Sequence, residues 1–181
     1  MMLEVEVKIR ADHKNIREKL LNMGFECGTT EYEKDIYFNG DVKDMRAEGK
    51  ALRIRESVAG GSRRFTLNYK GPKKDRITMT REETEFEIPS FEDGLVLLAG
   101  LGFAPAGEVE KKRIHFVLDD ITCCLDLVTG LGEFLEVEIL TDSEDCYEEV
   151  LERIRDLIET LGLSMEDSLT HSYLSMLQQA R

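Results

Sequence analysis

Charged and apolar residues alternate along most of the extended segments of this chain, and this alternation constrains its fold more than any other feature. In the segment EVEVKIR, residues 4–10, the side chains of Glu4, Glu6 and Lys8 lie on one side of a strand, opposite valine and isoleucine. The polar sides of such strands carry almost only full charges, whereas a solvated face usually also contains serine, threonine, glutamine and asparagine. Periodicity and turn residues predict strands at residues 3–9, 34–39, 51–58, 63–70, 79–88, 111–118, 121–128 and 132–140.

The segments between these strands include amphipathic stretches that predict helices. Three of them begin at a capping residue and end at a glycine: Asp12 to Gly24, Ser90 to Gly102 and Ser143 to Gly162. A short fourth helix is predicted over residues 171–179. Because the helices need an apolar surface to pack on, the apolar side of the strands is the core side, and the charged sides share a second surface.

Eight long antiparallel strands tend to curl and close, because closure removes exposed strand edges. A closed barrel that carries helices on its outside must hold its charges inside. We therefore predict an α+β fold, with an eight-stranded antiparallel β-barrel tunnel, as one domain over residues 1–181. Solvated sheet faces with cross-strand ion pairs would explain one strand, but they explain the whole set poorly.

The predicted interior contains equal numbers of cationic and acidic side chains. Desolvating so many ions is costly unless they are paired, hydrated or bound to a ligand. Carboxylates suit Mg²⁺ or Mn²⁺, whereas arginine and lysine suit phosphate oxygens, and the combination is typical of phosphoryl and nucleotidyl transfer. The seven cationic residues are Lys8, Arg53, Arg55, Lys70, Arg81, Lys111 and Arg113, and the seven acidic residues are Glu4, Glu6, Glu83, Glu85, Asp126, Glu136 and Glu138.

Composition and charge exclude several other classes of protein. The formal net charge of −13 argues against wholesale binding to nucleic acid or to an anionic membrane, although it allows a local basic cavity. No apolar run approaches the roughly 18 residues of a membrane span, and the charged start has no signal-peptide pattern, so we expect a cytoplasmic protein. The four cysteines lack CxxC spacing, and we interpret them as reduced structural thiols.

An ordered set of motifs resembles the signature of the CYTH proteins, the triphosphate tunnel metalloenzymes. The set starts with the ExExK motif of Glu4, Glu6 and Lys8 and extends to about residue 177, which makes it far more specific than ExExK alone. The later motifs are the RxR pair at 53–55, YKGP at 69–72, REETEFE at 81–87, KKR at 111–113, LDLVTGLGEFLEVEI at 125–139 and SYLSML at 172–177.

The resemblance implies a tunnel that holds a small-molecule triphosphate together with Mg²⁺ or Mn²⁺. By analogy, the metal ligands are Glu4, Glu6, Glu136 and Glu138, and the phosphate-binding residues are Lys8, Arg53, Arg55, Lys70, Lys111 and Arg113. Arg81 would join the phosphate site and Glu83, Glu85 and Asp126 the metal site, or these four would form ion pairs in the wall. The implied catalytic set is Glu4, Glu6, Lys8, Arg113, Asp126, Glu136 and Glu138.

The same resemblance narrows the reaction to two types. The YKGP and GLGEFLEVE segments favour the class IV adenylyl cyclases, which convert ATP to cyclic AMP and pyrophosphate. The alternative is a triphosphatase that hydrolyses thiamine triphosphate or inorganic tripolyphosphate, since none of the named residues distinguishes the two reactions. Family members are often dimers, which makes a homodimer the expected assembly if the chain self-associates.

Two further functions are disfavoured, and two further segments have open roles. A non-catalytic polyphosphate sensor would not require so many metal ligands, and the aligned basic residues argue against an acidic structural protein. His115 is either a proton-transfer group in the lumen or a packed histidine. The segment KGPKKDR, residues 70–76, is either a basic lip of the tunnel or a solvated loop.

Overall fold

The computed structural model describes residues 3–73, 78–141 and 144–180, with the side chain of Glu144 excepted. Its strands are β1 (Leu3–Arg10), β2 (Glu26–Gly40), β3 (Ala51–Ala59), β4 (Ser62–Lys70), β5 (Arg81–Ile88), β6 (Phe103–Leu118), β7 (Ile121–Val128) and β8 (Gly132–Thr141). Its helices are α1 (His13–Asn22), α2 (Phe91–Gly100), α3 (Tyr147–Thr160) and α4 (Tyr173–Gln179), with short 3₁₀ turns at Glu144–Cys146 and Met165–Asp167.

The eight strands form a closed barrel in the order β1-β5-β4-β3-β2-β6-β7-β8. All neighbouring strands are antiparallel, and β1 closes the barrel by pairing with both β5 and β8. This confirms the predicted α+β fold with a β-barrel tunnel and helices on its outside.

Two strands are much longer than the sequence pattern predicted. β2 was expected at residues 34–39 and β6 at 111–118, but they extend over Glu26–Gly40 and Phe103–Leu118 and pair with each other along most of that length. The added residues escaped detection because the alternation of apolar and charged residues is lost in them: residues 26–33 contain few apolar residues, and residues 103–107 contain no charged one. β5 starts at Arg81 and not at residue 79.

The helix ends agree with the predicted caps where these residues are described. The side chains of Asp12 and Ser90 accept hydrogen bonds from the third backbone N–H of α1 and α2, those of Asn15 and Asp93. The predicted cap at Ser143 lies outside the described residues, and α4 is capped by Ser172. None of the described helices is both long enough and apolar enough to span a bilayer.

The apolar side of the barrel faces outward onto the helices, which leaves the charged side for the interior. Val5 and Val7 of β1 pack against Ile154 and Ile158 of α3, all of them fully or almost fully buried. A second apolar cluster lies under α2, where a Cβ at Gly94 would come within 2.7 Å of Ile54 and Ile88. A third cluster, of Val109, Val128, Phe134 and Tyr173, lies on the inner side of the barrel, because its strand residues share a face with Lys111, Asp126 and Glu136, and α4 joins it through Tyr173.

Candidate active site

A cavity of about 620 Å³ lies inside the barrel, and nearly all of the predicted charged residues line it. Thirteen of the fourteen line it, and the exception is Asp126, which is fully buried behind the lining. Glu85 lies in an exposed part of β5, and Glu87 two residues later is exposed. The thirteen lining residues are Glu4, Glu6, Lys8, Arg53, Arg55, Lys70, Arg81, Glu83, Glu85, Lys111, Arg113, Glu136 and Glu138.

Asp126 on β7 holds two cations of β6 against one side of this cavity. Its carboxylate accepts from Arg113 Nε at 2.6 Å, from Lys111 Nζ at 3.0 Å and from the Tyr173 hydroxyl at 3.0 Å. Burial opposes ionisation of Asp126, but Arg113 and Lys111 outweigh it and leave its pKa below the ordinary value. Asp126 is therefore an ionised anchor for the two cations.

A second buried aspartate, Asp35, holds the two arginines of β3 in the same way. Asp35 on β2 accepts from Arg55 Nε at 2.7 Å and from Arg55 Nη2 at 2.9 Å, and it also accepts from Arg53 Nη1 at 3.1 Å. Glu33, two residues earlier, contacts Arg55 at 3.0 Å and Lys111 at 3.2 Å. Burial raises the pKa of Asp35, yet Arg53 and Arg55 lower it more, so this carboxylate also stays ionised.

The sequence interpretation missed Glu33 because it started this strand at residue 34, and it did not assign Asp35 to the charged interior although that residue lies within the predicted strand 34–39. The signal was present as Glu31, Glu33, Asp35 and Tyr37, which are polar or aromatic residues at every second position of the chain. We call Arg53, Arg55, Lys111 and Arg113, together with Glu33, Asp35 and Asp126, the basic wall. In it, each cation is fixed by at least one buried carboxylate.

Carboxylates crowd the opposite side, on β1 and β8. The strand register places Glu6 directly opposite Glu138 and Lys8 opposite Glu136, so two like charges face each other in one cross-strand pair. Lys8 Nζ lies 3.0 Å from Glu136 and 3.3 Å from Glu6, and Lys70 Nζ lies 2.7 Å from Glu4. We call Glu4, Glu6, Glu136 and Glu138 the acidic wall.

The four carboxylates of the acidic wall outnumber the described cations that lie within ion-pair distance of them. Among the described residues, no cation lies within ion-pair distance of Glu138, and burial raises its pKa to about 7, helped by the charges of Glu6 and Glu136. Burial likewise raises the pKa of Glu4 to about 8 despite the nearby Lys70. Glu136 differs, since Lys8 and Arg113 outweigh its burial and hold its pKa well below the ordinary value.

The comparison with known families decides what kind of cavity this is. The family model of the CYTH domain matches residues 2–173. The chain is a CYTH protein. Members of this family are adenylyl cyclase-like or triphosphatase enzymes that act on small-molecule triphosphates and generally depend on divalent metal.

Relatives and solved structures agree with this assignment. A Methanocaldococcus jannaschii protein with a provisional adenylate cyclase name is 36% identical over 97% of this CYTH chain and 98% of its own. The solved structure of PH1819 from Pyrococcus horikoshii has a TM-score of 0.90 and 35% identity, covering 98% of this chain and 99% of that one. HpAC1 from Hippeastrum, with a TM-score of 0.71, 18% identity and coverage of 100% and 97%, shares the fold.

The acidic wall of this CYTH protein has the donor chemistry of a divalent metal site. Its carboxylates supply hard oxygen ligands, and Glu138 has no cation within ion-pair distance among the described residues. Within the three described segments, no group of three or more acidic, histidine or cysteine side chains is arranged around a common metal position. The reason is that Glu4, Glu6 and Glu136 turn toward Lys70 and Lys8.

The remaining sequence predictions fall at the edges of the cavity. His115 lines it and lies 4.0 Å from Glu31, and burial together with Arg113 lowers its pKa, so it is neutral near pH 7. Lys73 of the predicted lip donates to the carbonyl of Thr170, whereas residues 74–77 lie outside the described residues. The four cysteines are free thiols, two buried and two exposed.

Proposed function

We propose that this CYTH protein is a class IV-type adenylyl cyclase, which converts ATP to cyclic AMP and pyrophosphate with Mg²⁺ or Mn²⁺. The observation that carries the proposal is one cavity in which firmly paired lysines and arginines face a set of under-compensated carboxylates. A triphosphate with a divalent ion supplies the anion that the first set attracts and the cation that the second set lacks. The cyclase name of the Methanocaldococcus relative supports the choice of reaction.

The basic wall is suited to bind and orient the phosphate chain. Arginine presents a rigid fork of donors to phosphate oxygens, and the bidentate pair between Asp35 and Arg55 keeps that fork in one orientation. We assign the phosphate oxygens to this wall together with the cations that lie nearer the acidic wall. The full phosphate-binding set is Lys8, Arg53, Arg55, Lys70, Arg81, Lys111 and Arg113.

The acidic wall is the site that we assign to the metal. Glu4, Glu6, Glu136 and Glu138 would hold Mg²⁺ or Mn²⁺, with Glu83 and Glu85 at the edge of the same set. When bound, the ion supplies Lewis-acid chemistry that favours ionisation of the attacking hydroxyl and stabilises the leaving pyrophosphate. Asp126 is fully enclosed by cations and Tyr173, so we assign it to holding Lys111 and Arg113 and not to metal binding.

In the proposed reaction, the ribose 3′-hydroxyl attacks the α-phosphorus and the bond to the β-phosphate oxygen breaks. The protein's own contribution is to hold the triphosphate extended and to neutralise the charge that develops on the leaving group. Fixed donors do this without reorganising during the reaction, because the buried aspartates already orient them. The catalytic set therefore combines Glu4, Glu6, Lys8, Arg113, Glu136 and Glu138, with Asp126 in support.

A triphosphatase is the second candidate, because the same cavity could direct a water molecule at the terminal phosphorus. The Hippeastrum protein that shares this fold carries a cyclase name and has a dominant triphosphatase activity. Thiamine triphosphate and inorganic tripolyphosphate are the substrates to compare with ATP. The two reactions would use the same phosphate-binding residues and differ in the nucleophile, which is the ribose hydroxyl or water, and in the phosphorus that it attacks.

A substrate panel distinguishes the two candidates. The purified protein is incubated with ATP, thiamine triphosphate or tripolyphosphate in Mg²⁺ or Mn²⁺, and cyclic AMP, pyrophosphate and phosphate are measured separately. Equal amounts of cyclic AMP and pyrophosphate from ATP would support the cyclase. Phosphate release without cyclic AMP would reject the cyclase in favour of the triphosphatase, and no turnover of any of the three would reject both.

A further inference from the structure

Tyr173, the first residue of α4, contacts three charged groups of the cavity at once. Its hydroxyl donates to Asp126 at 3.0 Å. Its ring lies under Lys8 Nζ, which is 4.3 Å from the ring centroid, and near Lys111 Nζ at 5.4 Å. Tyr173 is the residue through which a helix from the end of the chain reaches the centre of the barrel.

Several contacts fix this tyrosine in place. Its ring packs against Phe134 with a centroid distance of 5.0 Å, and the side chain is only 6% exposed. The next residue, Leu174, fits against Gly107, where an added Cβ would lie only 2.5 Å from its Cδ1. The backbone N–H of Leu169 donates to the carbonyl of Lys8 at 2.8 Å, which ties the preceding segment to β1.

We propose that Tyr173 is a positioning residue, which holds the ammonium groups of Lys8 and Lys111 where they meet the phosphate oxygens of the substrate. This inference rests on the proposed function, since it concerns how the triphosphate is bound. A lysine ammonium has little orientational restraint of its own, unlike a guanidinium held by a bidentate carboxylate. A buried aromatic face restrains it through the cation–π attraction, in addition to the ion pairs of Lys8 with Glu6 and Glu136 and of Lys111 with Glu33 and Asp126.

The hydroxyl and the ring of Tyr173 have separable roles. The hydroxyl is one of four donors to Asp126, and the two hydrogen bonds from Arg113 to this carboxylate do not depend on it. The ring lies within cation–π distance of both lysines, so its loss leaves each of them restrained by its ion pairs alone. Burial raises the pKa of the Tyr173 hydroxyl, with Glu136 and Asp126 adding to the effect, so the phenol stays protonated and able to donate.

The test compares Tyr173→Phe and Tyr173→Leu with the parent at a temperature where circular dichroism shows all three fully folded. We expect Tyr173→Phe to raise KM for the triphosphate about threefold and Tyr173→Leu to raise it about tenfold or more, with smaller changes in kcat. A purely structural contact would leave both constants of the folded molecules unchanged. A KM for Tyr173→Leu within about twofold of the parent value would overturn the proposal.

The matched control is Tyr32, which is half exposed on the outside of β2 and has Lys112 Nζ 5.3 Å from its ring centroid. Tyr32→Leu removes a similar lysine–aromatic contact outside the cavity lining, so its KM and kcat should equal those of the parent. A KM increase for Tyr32→Leu as large as that for Tyr173→Leu would overturn the assignment, because the effect would not depend on the cavity.

A second measurement needs no substrate and therefore separates this inference from the proposed function. Lysines are methylated reductively under limiting conditions, and the rate at each site is read by mass spectrometry. We expect Tyr173→Leu to speed labelling of Lys8 and Lys111 by about threefold or more, with Lys34 unchanged. Unchanged labelling would overturn the positioning role, whereas a parent that binds no triphosphate but shows the labelling change would reject only the proposed function.

Discussion

The two walls of the barrel differ in how their buried carboxylates are paired with cations. On the basic wall, Asp35 and Asp126 are almost completely buried, yet each accepts several hydrogen bonds from cations and has a lowered pKa. On the acidic wall, Glu138 has no cation within ion-pair distance among the described residues, and its pKa is raised to about 7. The difference lies in the partners and not in burial, since burial opposes ionisation on both sides.

This contrast shows which half of the cavity is complete in the protein alone. The basic wall balances its charges internally, and a triphosphate adds to an arrangement that already exists. The acidic wall lacks positive charge, which a proton or a divalent metal ion can supply. The cavity therefore has a preformed anion site and a cation site that is completed by its ligand.

The largest expected effect comes from breaking the balance of the basic wall. Asp126→Asn leaves Lys111 and Arg113 buried without their shared counter-charge, so the free energy of unfolding should fall by about 3–5 kcal/mol. Denaturant titration without metal measures this. Glu138→Gln is the comparison on the other wall, and it should raise stability near pH 8 by about 1 kcal/mol because it removes an uncompensated charge. Equal losses in both variants would contradict the contrast between the walls.

The second prediction concerns metal-dependent turnover, for which the acidic wall should be the more sensitive of the two walls. Glu138→Gln should lower metal-dependent turnover by about 100-fold, because it removes a proposed metal ligand while the fold persists. Glu133→Gln on the same strand is the control, since Glu133 is exposed and faces away from the cavity toward α1. Full activity of Glu138→Gln at the metal concentration that saturates the parent would remove Glu138 from the metal site.

The same comparison predicts how stability depends on pH. Without metal, the folded protein binds more protons at Glu4 and Glu138 than the unfolded chain does, because burial raises their pKa values to about 8 and about 7. The free energy of unfolding should therefore fall as the pH rises from about 5 to about 8, by roughly 1.4 kcal/mol for each pH unit over which one of these groups keeps its proton only in the folded state. Mg²⁺ added near pH 8 should restore most of it. A melting temperature that rises over this range would show that the acidic wall is not short of cations.

The smallest expected effect is the change in KM caused by a substitution at Lys8. Lys8 bridges Glu6 and Glu136 and contacts the ring of Tyr173, so Lys8→Ala should raise KM for the triphosphate by about tenfold. Lys34→Ala is the control, because Lys34 pairs with Glu108 and Glu110 on the surface. Equal KM values for the two variants would exclude Lys8 from the phosphate site.

The sequence predicted most of the fold because the alternation of charged and apolar residues in β1 and β8 is nearly perfect. It predicted β2 and β6 too short because that alternation breaks down in their first halves, and it therefore missed Glu33. It also left out Asp35, although that residue lies within the predicted strand 34–39. The sequence also did not identify Tyr173 as a site residue, although it lies within the SYLSML motif. Its contacts with Lys8 and Asp126 join residues 165 and 47 positions apart, and no local pattern reports such a contact.

The sequence likewise did not predict which charged side chains pair with each other in the cavity. A count of charges predicted a nearly neutral interior, but not that Asp126 would be enclosed by cations while Glu138 is left alone. That division depends on register, which places Glu6 opposite Glu138 and Arg113 opposite Asp126. A shift by one residue in either pair would turn these side chains to the other face.

The most direct test is a crystal of the protein grown with Mn²⁺ and a non-hydrolysable ATP analogue, measured at a wavelength where manganese scatters anomalously. The account predicts a manganese peak inside the barrel, bonded to carboxylate oxygens of Glu6 and Glu138, with the triphosphate between that peak and Arg53, Arg55 and Arg113. Manganese bound only on the outer surface, or an analogue bound outside the barrel, would contradict it.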